Sequence, residues 1–136
     1  MKKLSILFAA FAVLFLVSCG KYEEGPGISL RSKASRIDGS WKVEKYTEDG
    51  ADFTSDYASL TFEFTKDGSF TISDTYLGQV FSETGSWALT SNDEDLTFTF
   101  SDGSTEVYKI LRLTNSDFWI SQTYSGITDV IHLKAK

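Results

Sequence analysis

Hydrophobic and polar residues alternate along two short segments of the chain. Residues 60–65 run Leu-Thr-Phe-Glu-Phe-Thr, and residues 96–101 run Leu-Thr-Phe-Thr-Phe-Ser. Successive side chains of a β-strand point to opposite faces, so this period of two predicts strands with one buried and one solvated face. Thr and Phe are also common in strands, which supports the same prediction.

Turn-forming residues divide the rest of the chain into eight candidate strands. Gly and Asn tolerate the positive φ of tight hairpin turns, and seven such signals occur: Asp49–Gly50, Asp67–Gly68, Leu77–Gly78, Asn92–Asp93, Asp102–Gly103, Asn115–Ser116 and Ser125–Gly126. The predicted strands are 40–47, 57–65, 69–76, 80–90, 95–101, 104–114, 117–124 and 127–134. Long helical periods are absent from the sequence after Ile37, which argues against crossover helices and a parallel sheet.

A closed arrangement of these strands is favoured because closure removes edges that would otherwise pair with other chains. We therefore predict an all-β fold, an eight-stranded antiparallel up-and-down β-barrel. A short helical turn is expected before the first strand, within residues 28–37. There Leu30, Ala34 and Ile37 are spaced as on one face of a helix.

The first twenty residues predict export. A basic start precedes an apolar run, Leu4–Val17, which as a helix is shorter than the roughly 30 Å core of a bilayer. Such a segment is typical of a secretory signal peptide. The run ends in Leu16–Val17–Ser18–Cys19, which resembles the lipobox of bacterial lipoproteins. An ordinary signal peptide followed by a chance cysteine is the alternative interpretation.

The lipobox resemblance implies three segments and a location. Residues 1–18 would be a signal peptide, residues 19–27 a flexible tether starting with lipidated Cys19, and residues 28–136 the barrel domain. The protein would then be anchored by lipid to the outer membrane of the bacterial cell envelope, facing the periplasm or the surface. The net charge of −6 opposes binding to nucleic acid or to an anionic lipid surface, so the lipid would provide the membrane contact.

A second resemblance concerns the barrel itself. Gly39–Ser40–Trp41 resembles the Gly-x-Trp signature of lipocalins, and the later segments Gly85–Leu89 and Tyr108–Leu113 follow in the order found in lipocalin-like domains of small bacterial lipoproteins. The resemblance covers about residues 37–134. It implies that Gly39 and Trp41 help to close one end of the barrel, with Arg112 as the candidate arginine over the tryptophan. Lipocalins carry a Thr-Asp-Tyr element, whereas this chain has Thr128–Asp129–Val130.

Lipocalins bind small hydrophobic molecules inside the barrel, so two functions remain open. In the first, a cavity of roughly 300 Å³ or more binds an apolar ligand. The residues expected to line it are Phe62, Phe81, Trp87 and Phe98, with Glu83 either orienting the ligand or lying at the barrel mouth. In the second, side chains fill the barrel, and the protein acts through its outer surface on an unknown protein partner. The loop aromatics Phe53 and Tyr57 would cap a pocket or pack on the core.

The sequence does not predict an enzyme, a cofactor or a metal site. His132 is the only histidine, and Asp129, three residues away, would lie on the opposite face of the same strand. The single cysteine cannot form an internal disulfide, and one histidine with one cysteine cannot build a zinc site unaided. The acidic segment Asn92–Asp95 is interpreted as a solvated hairpin tip because it lacks the alternating ligands of a calcium loop.

Overall fold

The structure, a computed structural model, describes residues 31–136. The predictions for the signal peptide, for Cys19 and for the tether therefore lie outside the described residues. A five-residue helix, α1 (Lys33–Ile37), precedes nine strands. These are β1 (Gly39–Glu48), β2 (Ala51–Asp52), β3 (Thr61–Phe64), β4 (Ser69–Tyr76), β5 (Gln79–Thr90), β6 (Asp95–Phe100), β7 (Thr105–Leu113), β8 (Asp117–Tyr124) and β9 (Ile127–Ala135).

Eight of these strands form a closed antiparallel barrel. Consecutive strands pair from β3 to β9, β1 pairs with β3, and a further pairing between β1 and β9 closes the sheet. The two-residue strand β2 pairs only with the end of β1. The predicted eight-stranded up-and-down barrel is therefore confirmed, and closure leaves none of the eight long strands with a free edge.

The alternating segments behave as their pattern predicts. Phe62 and Phe64 are buried while Glu63 between them is exposed, and Leu96 and Phe98 are buried in the same way. At Leu77 and Gly78 φ is positive, so the tight turn between β4 and β5 keeps the two strands paired through Tyr76 and Gln79.

Two predicted segments have different bounds within the described residues. There the helical turn expected within residues 28–37 comprises Lys33–Ile37, with the Ser32 hydroxyl accepting a hydrogen bond from the Ser35 amide at its start. The strand predicted from residue 57 begins at Thr61, because Thr54–Tyr57 form a 3₁₀ turn. The Asp52 carboxylate accepts hydrogen bonds from the backbone and hydroxyl of Thr54, which favours a turn over an extended strand.

Two β-bulges change which side chains face the interior. One lies between Val43 and Lys45 on β1, and the other between Ile110 and Arg112 on β7. After the first bulge the inward positions change from odd to even numbers, which places Tyr46 inside the barrel. After the second, Leu113 points inward in place of Arg112. An extra residue on one strand has this effect because strand side chains alternate with a period of two.

The core is densest around Phe64. Its ring contacts the rings of Trp87, Phe98 and Phe118, each at a centroid distance of 5.9 Å. Gly85 allows the strands to approach closely here, because a Cβ at this position would lie 2.1 Å from the Thr99 carbonyl oxygen. The large residues with no more than 2% exposure are Trp41, Phe64, Phe98, Phe118, Ile37, Leu96, Ile110, Leu113, Ile120 and Leu133.

Candidate ligand-binding site

The two ends of the barrel differ in what covers them. We call the end at which α1 lies the closed end and the opposite end the open end. The turns at residues 65–68, 91–94 and 114–116 are at the closed end. The loop at residues 49–60 and the turns at 77–78, 101–104 and 125–126 are at the open end.

α1 and Trp41 on β1 seal the closed end of the barrel. The Trp41 indole nitrogen donates a hydrogen bond of 2.8 Å to the Ile37 carbonyl at the end of α1. The Trp41 ring also makes an edge contact with Phe118, and both Trp41 and Ile37 are buried. Gly39 has a φ of 136°, which favours glycine where the chain passes from α1 into β1.

Arg112 does not take the position that the lipocalin resemblance implies. The bulge on β7 turns its side chain to the outer wall, where its guanidinium lies 5.2 Å from the centre of the Trp119 ring and 3.6 Å from an Asp117 carboxylate oxygen. The buried arginine at the closed end is Arg36, which donates a hydrogen bond of 2.8 Å to the Leu113 carbonyl. A buried donor there holds α1 against β7.

A cavity of about 210 Å³ lies inside the open end. Its walls combine apolar side chains with three tyrosines and two carboxylates. The lining residues are Tyr46, Tyr57, Leu60, Phe62, Ile72, Glu83, Phe98, Phe100, Glu106, Tyr108 and Ile131. An apolar cavity with a few polar groups is the usual composition of a small-molecule site.

Two shallower cavities share walls with this central cavity. One, of about 360 Å³, shares Leu60, Ile72 and Glu83 with it and extends to Phe81 on the rim. The other, of about 270 Å³, shares Glu83, Phe100 and Glu106 with it and extends to the turn at residues 101–104. Glu83 lines all three cavities.

The structure brings together three of the five residues predicted to line a ligand cavity. Phe62, Glu83 and Phe98 line the central cavity. Phe81 is 57% exposed and lines only the adjoining rim cavity, because it lies near the end of the β4–β5 hairpin. Trp87 lies toward the closed end, where its indole nitrogen donates to the Thr65 carbonyl at 3.0 Å, and it lines none of the three cavities.

The central cavity also contains polar residues that the sequence analysis missed. The Tyr108 hydroxyl donates a hydrogen bond of 2.9 Å to Glu106. Burial and the neighbouring Glu106 carboxylate raise the pKa of Tyr108 well above its usual value. Burial and Asp129 raise the pKa of Tyr46 in the same direction. The alternation of Glu106, Tyr108 and Ile110 could have identified Glu106 as inward-facing, whereas the bulge on β1 hides Tyr46 from such a pattern.

The two loop aromatics have different environments. Tyr57 stacks on Tyr46 at a centroid distance of 3.9 Å and forms part of the cavity wall. Phe53 is 36% exposed at the open end. Hydrogen bonds from the Phe53 amide to the Tyr46 carbonyl and from the Tyr46 amide to the Thr54 hydroxyl hold the loop against β1.

His132 lies on the outer wall, opposite the buried residues Ile131 and Leu133. Its ring stacks on Trp119 at a centroid distance of 3.9 Å. Within residues 31–136, no group of three or more His, Cys, Asp or Glu side chains is arranged to hold a metal ion. The same residues contain no helix with the length and apolar character that a membrane span requires.

A closed eight-stranded up-and-down barrel with one sealed and one open end defines a class of small β-barrels whose interior is filled by side chains or holds one small ligand. A family model described as a lipocalin-like domain matches residues 37–120, more than half of the chain. The protein therefore belongs to the lipocalin-like domain family.

Comparison with other known proteins adds information about the fold only. No curated protein matches the sequence. Among solved structures, a redesigned β-barrel is similar, with a TM-score of 0.51 and 15% sequence identity, over 80% of this chain and 99% of that chain. At this identity the similarity supports the barrel architecture and not a particular ligand.

Proposed function

We propose that this protein is a lipid-anchored barrel of the bacterial cell envelope that binds a small hydrophobic molecule in its open end. The observation that supports binding is the central cavity of about 210 Å³, bounded by buried Phe62 and Phe98. Aromatic and aliphatic side chains fill the closed half of the core, so a cavity bounded by rings in the open half is consistent with a site for a ligand body.

The proposed anchor is supported by the sequence before the barrel. The apolar run ending in Ser18–Cys19 has the pattern of a lipoprotein signal, and the described chain enters the barrel at the closed end through α1. A tether from Cys19 would therefore join the closed end. The open-end cavity would lie at the opposite end of the barrel from the attachment point.

A packed barrel that acts through its outer surface is the alternative function. It is favoured by the closed half, which aromatic and aliphatic side chains fill, and by the central cavity being smaller than the roughly 300 Å³ usual for ligand pockets. The two functions differ in whether an apolar molecule occupies the central cavity.

Titration of the barrel domain, residues 28–136, with an environment-sensitive apolar dye tests the proposed function. We expect saturable one-to-one binding that is lost when Phe62→Trp fills the central cavity. A matched control is Tyr124→Trp, which changes a residue that is 78% exposed and lines none of the three cavities. Absence of saturable binding to the folded domain would reject the proposal and leave the packed barrel.

A further inference from the structure

The three cavities of the open end are lined by acids and by no bases. Glu83 and Glu106 line the central cavity, and Asp74 and Asp102 line the two adjoining cavities. Among the described residues that line these cavities, none is a lysine, arginine or histidine. Carboxylates around a concavity with low-dielectric walls focus a negative potential into it.

Asp129 on β9 is a further carboxylate near the open end, where it pairs with Glu48 of β1. It lies close enough to Tyr46, which lines the central cavity, to help raise the pKa of that tyrosine. Its Oδ1 atom is buried and accepts no hydrogen bond within the described part of the chain. A buried acceptor without a donor costs free energy, so this carboxylate adds unpaired negative charge at the open end.

Aromatic side chains line the same cavity as Glu83 and Glu106. Tyr46 and Tyr57 form a stacked pair on one side of the central cavity, and Phe98 and Phe100 lie on the other. Ring faces attract cations through the aromatic quadrupole, and this attraction is stronger when the cation is partly desolvated. Rings and carboxylates in one cavity therefore favour the same sign of ligand charge.

We propose that the open-end cavity selects a small organic cation, a molecule with an apolar body and a protonated amine or quaternary ammonium group. This inference rests on the proposed function, since it names the ligand class of the same cavity. The apolar body contacts Phe62 and Phe98 on the cavity floor, and the cationic group lies between Glu83 and Glu106.

Neutral and anionic ligands are disfavoured for a physical reason. A neutral apolar molecule in the cavity removes water from Glu83 and Glu106 without replacing the lost interactions. A fatty acid or other carboxylate adds repulsion between like charges. An ammonium group instead forms charge-assisted hydrogen bonds with the carboxylates, which are about twice as strong as neutral ones.

The test compares three ligands that share one apolar body. Naphthylethylammonium, naphthylethanol and naphthylpropanoate are titrated by calorimetry into the full chain held in nanodiscs of neutral phosphatidylcholine. Because charge-assisted hydrogen bonds are about twice as strong as neutral ones, we expect the ammonium compound to bind at least about tenfold more tightly than the alcohol. The propanoate is expected to bind most weakly.

Two variants locate the effect in the cavity. We expect the double variant Glu83→Gln with Glu106→Gln to lose about tenfold in ammonium affinity and to bind the alcohol at least as well as before. The matched control is Glu63→Gln, which removes an exposed carboxylate between Phe62 and Phe64 on β3 and should change neither affinity. Equal loss in this control would assign the preference to the overall charge and overturn the inference.

The outcomes separate this inference from the proposed function. Binding of the alcohol as tightly as the ammonium compound would overturn the cation preference and leave a general apolar site. Failure of all three compounds to bind would overturn both proposals. A preference for the ammonium compound that is lost in the Glu83→Gln, Glu106→Gln variant would support both.

Discussion

The closed and open ends of this barrel differ in the surroundings of their polar side chains. At the closed end two buried donors are paired with backbone carbonyls, in the 2.8 Å bonds from Trp41 to Ile37 and from Arg36 to Leu113. At the open end Glu83 and Glu106 line cavities, and the Asp129 Oδ1 atom has no hydrogen-bond partner within the described residues. Paired polar groups stabilise a core, whereas polar groups that line a cavity can bind something else.

Charge shows the same contrast. Asp117, where β8 leaves the closed end, lies 2.9 Å from the Lys134 amine and 3.6 Å from Arg112. Glu106 at the open end accepts from a tyrosine hydroxyl instead. One barrel thus carries a neutralised end and an acidic end, although the same alternation of side chains builds both.

Exposed apolar surface is also concentrated at the open end. Within residues 31–136 the large hydrophobic residues that remain exposed are Phe53, Tyr76, Leu77, Val80, Phe81, Val107, Tyr124 and Ile127, and all lie in or near the open-end loops. This difference in exposed apolar surface indicates that the closed half contributes most of the stability. The open half is less tightly packed.

The largest expected effect contrasts one phenylalanine from each half. Phe64→Ala should lower the free energy of unfolding by about 3–5 kcal/mol, because it removes a buried ring that contacts several other aromatic rings. Phe81→Ala should lower it by less than about 1 kcal/mol, because most of that ring is already exposed. Equilibrium unfolding in guanidinium measures both. Similar losses in the two variants would contradict the division into a packed and an open half.

The barrel itself could be predicted from the sequence because segments such as 60–65 and 96–101 alternate clearly and its turns contain Gly, Asn and Asp. β4 and β8 begin and end at the predicted residues, 69–76 and 117–124. Residues 57–60 were predicted as the start of a strand but belong to the loop, since Asp52 binds Thr54 and a 3₁₀ turn follows over Thr54–Tyr57.

The candidate site could be predicted only in part, and the bulges explain why. Phe62, Glu83 and Phe98 keep their parity and line the cavity as expected. Tyr46 and Arg112 follow bulges, so strict alternation places each on the wrong face of its strand. The bulges are defined by how one strand pairs with another, β1 with β9 and β7 with β8, and the alternation within a single strand does not specify them.

The next effect concerns the tyrosines of the open end at alkaline pH. Burial and Glu106 raise the pKa of Tyr108, so the folded protein keeps this proton at pH values where the unfolded chain loses it. The free energy of unfolding should therefore fall as pH rises above about 10, by up to about 1.4 kcal/mol per pH unit for this one proton. Tyr108→Phe should make the decline shallower.

Unfolding in urea at several pH values between about 9 and 12 measures this decline. Tyr76→Phe, which removes a hydroxyl from a residue that is 66% exposed, is the matched control and should keep the slope of the natural protein. An unchanged slope in Tyr108→Phe would show that the hydroxyl is not buried against Glu106 in solution.

The smallest effect concerns the ion pair of the closed end at acidic pH. Hydrogen bonding to Lys134 holds the pKa of Asp117 below its ordinary value of 3.8. This carboxylate therefore contributes stability above that value, and the contribution is lost as pH falls through the lower folded-state pKa. Asp117→Asn should lower the free energy of unfolding at neutral pH by less than about 1 kcal/mol, because solvent screens the pair. Asp117→Asn should also make the fall in the free energy of unfolding between about pH 5 and 2 shallower.

Asp67→Asn is the comparison, because Asp67 is another closed-end carboxylate and has no cation contact in the described structure. The loss of stability in Asp67→Asn should not depend on salt concentration. A salt-independent loss in Asp117→Asn would show that hydroxyl and backbone contacts, and not Lys134, stabilise this carboxylate.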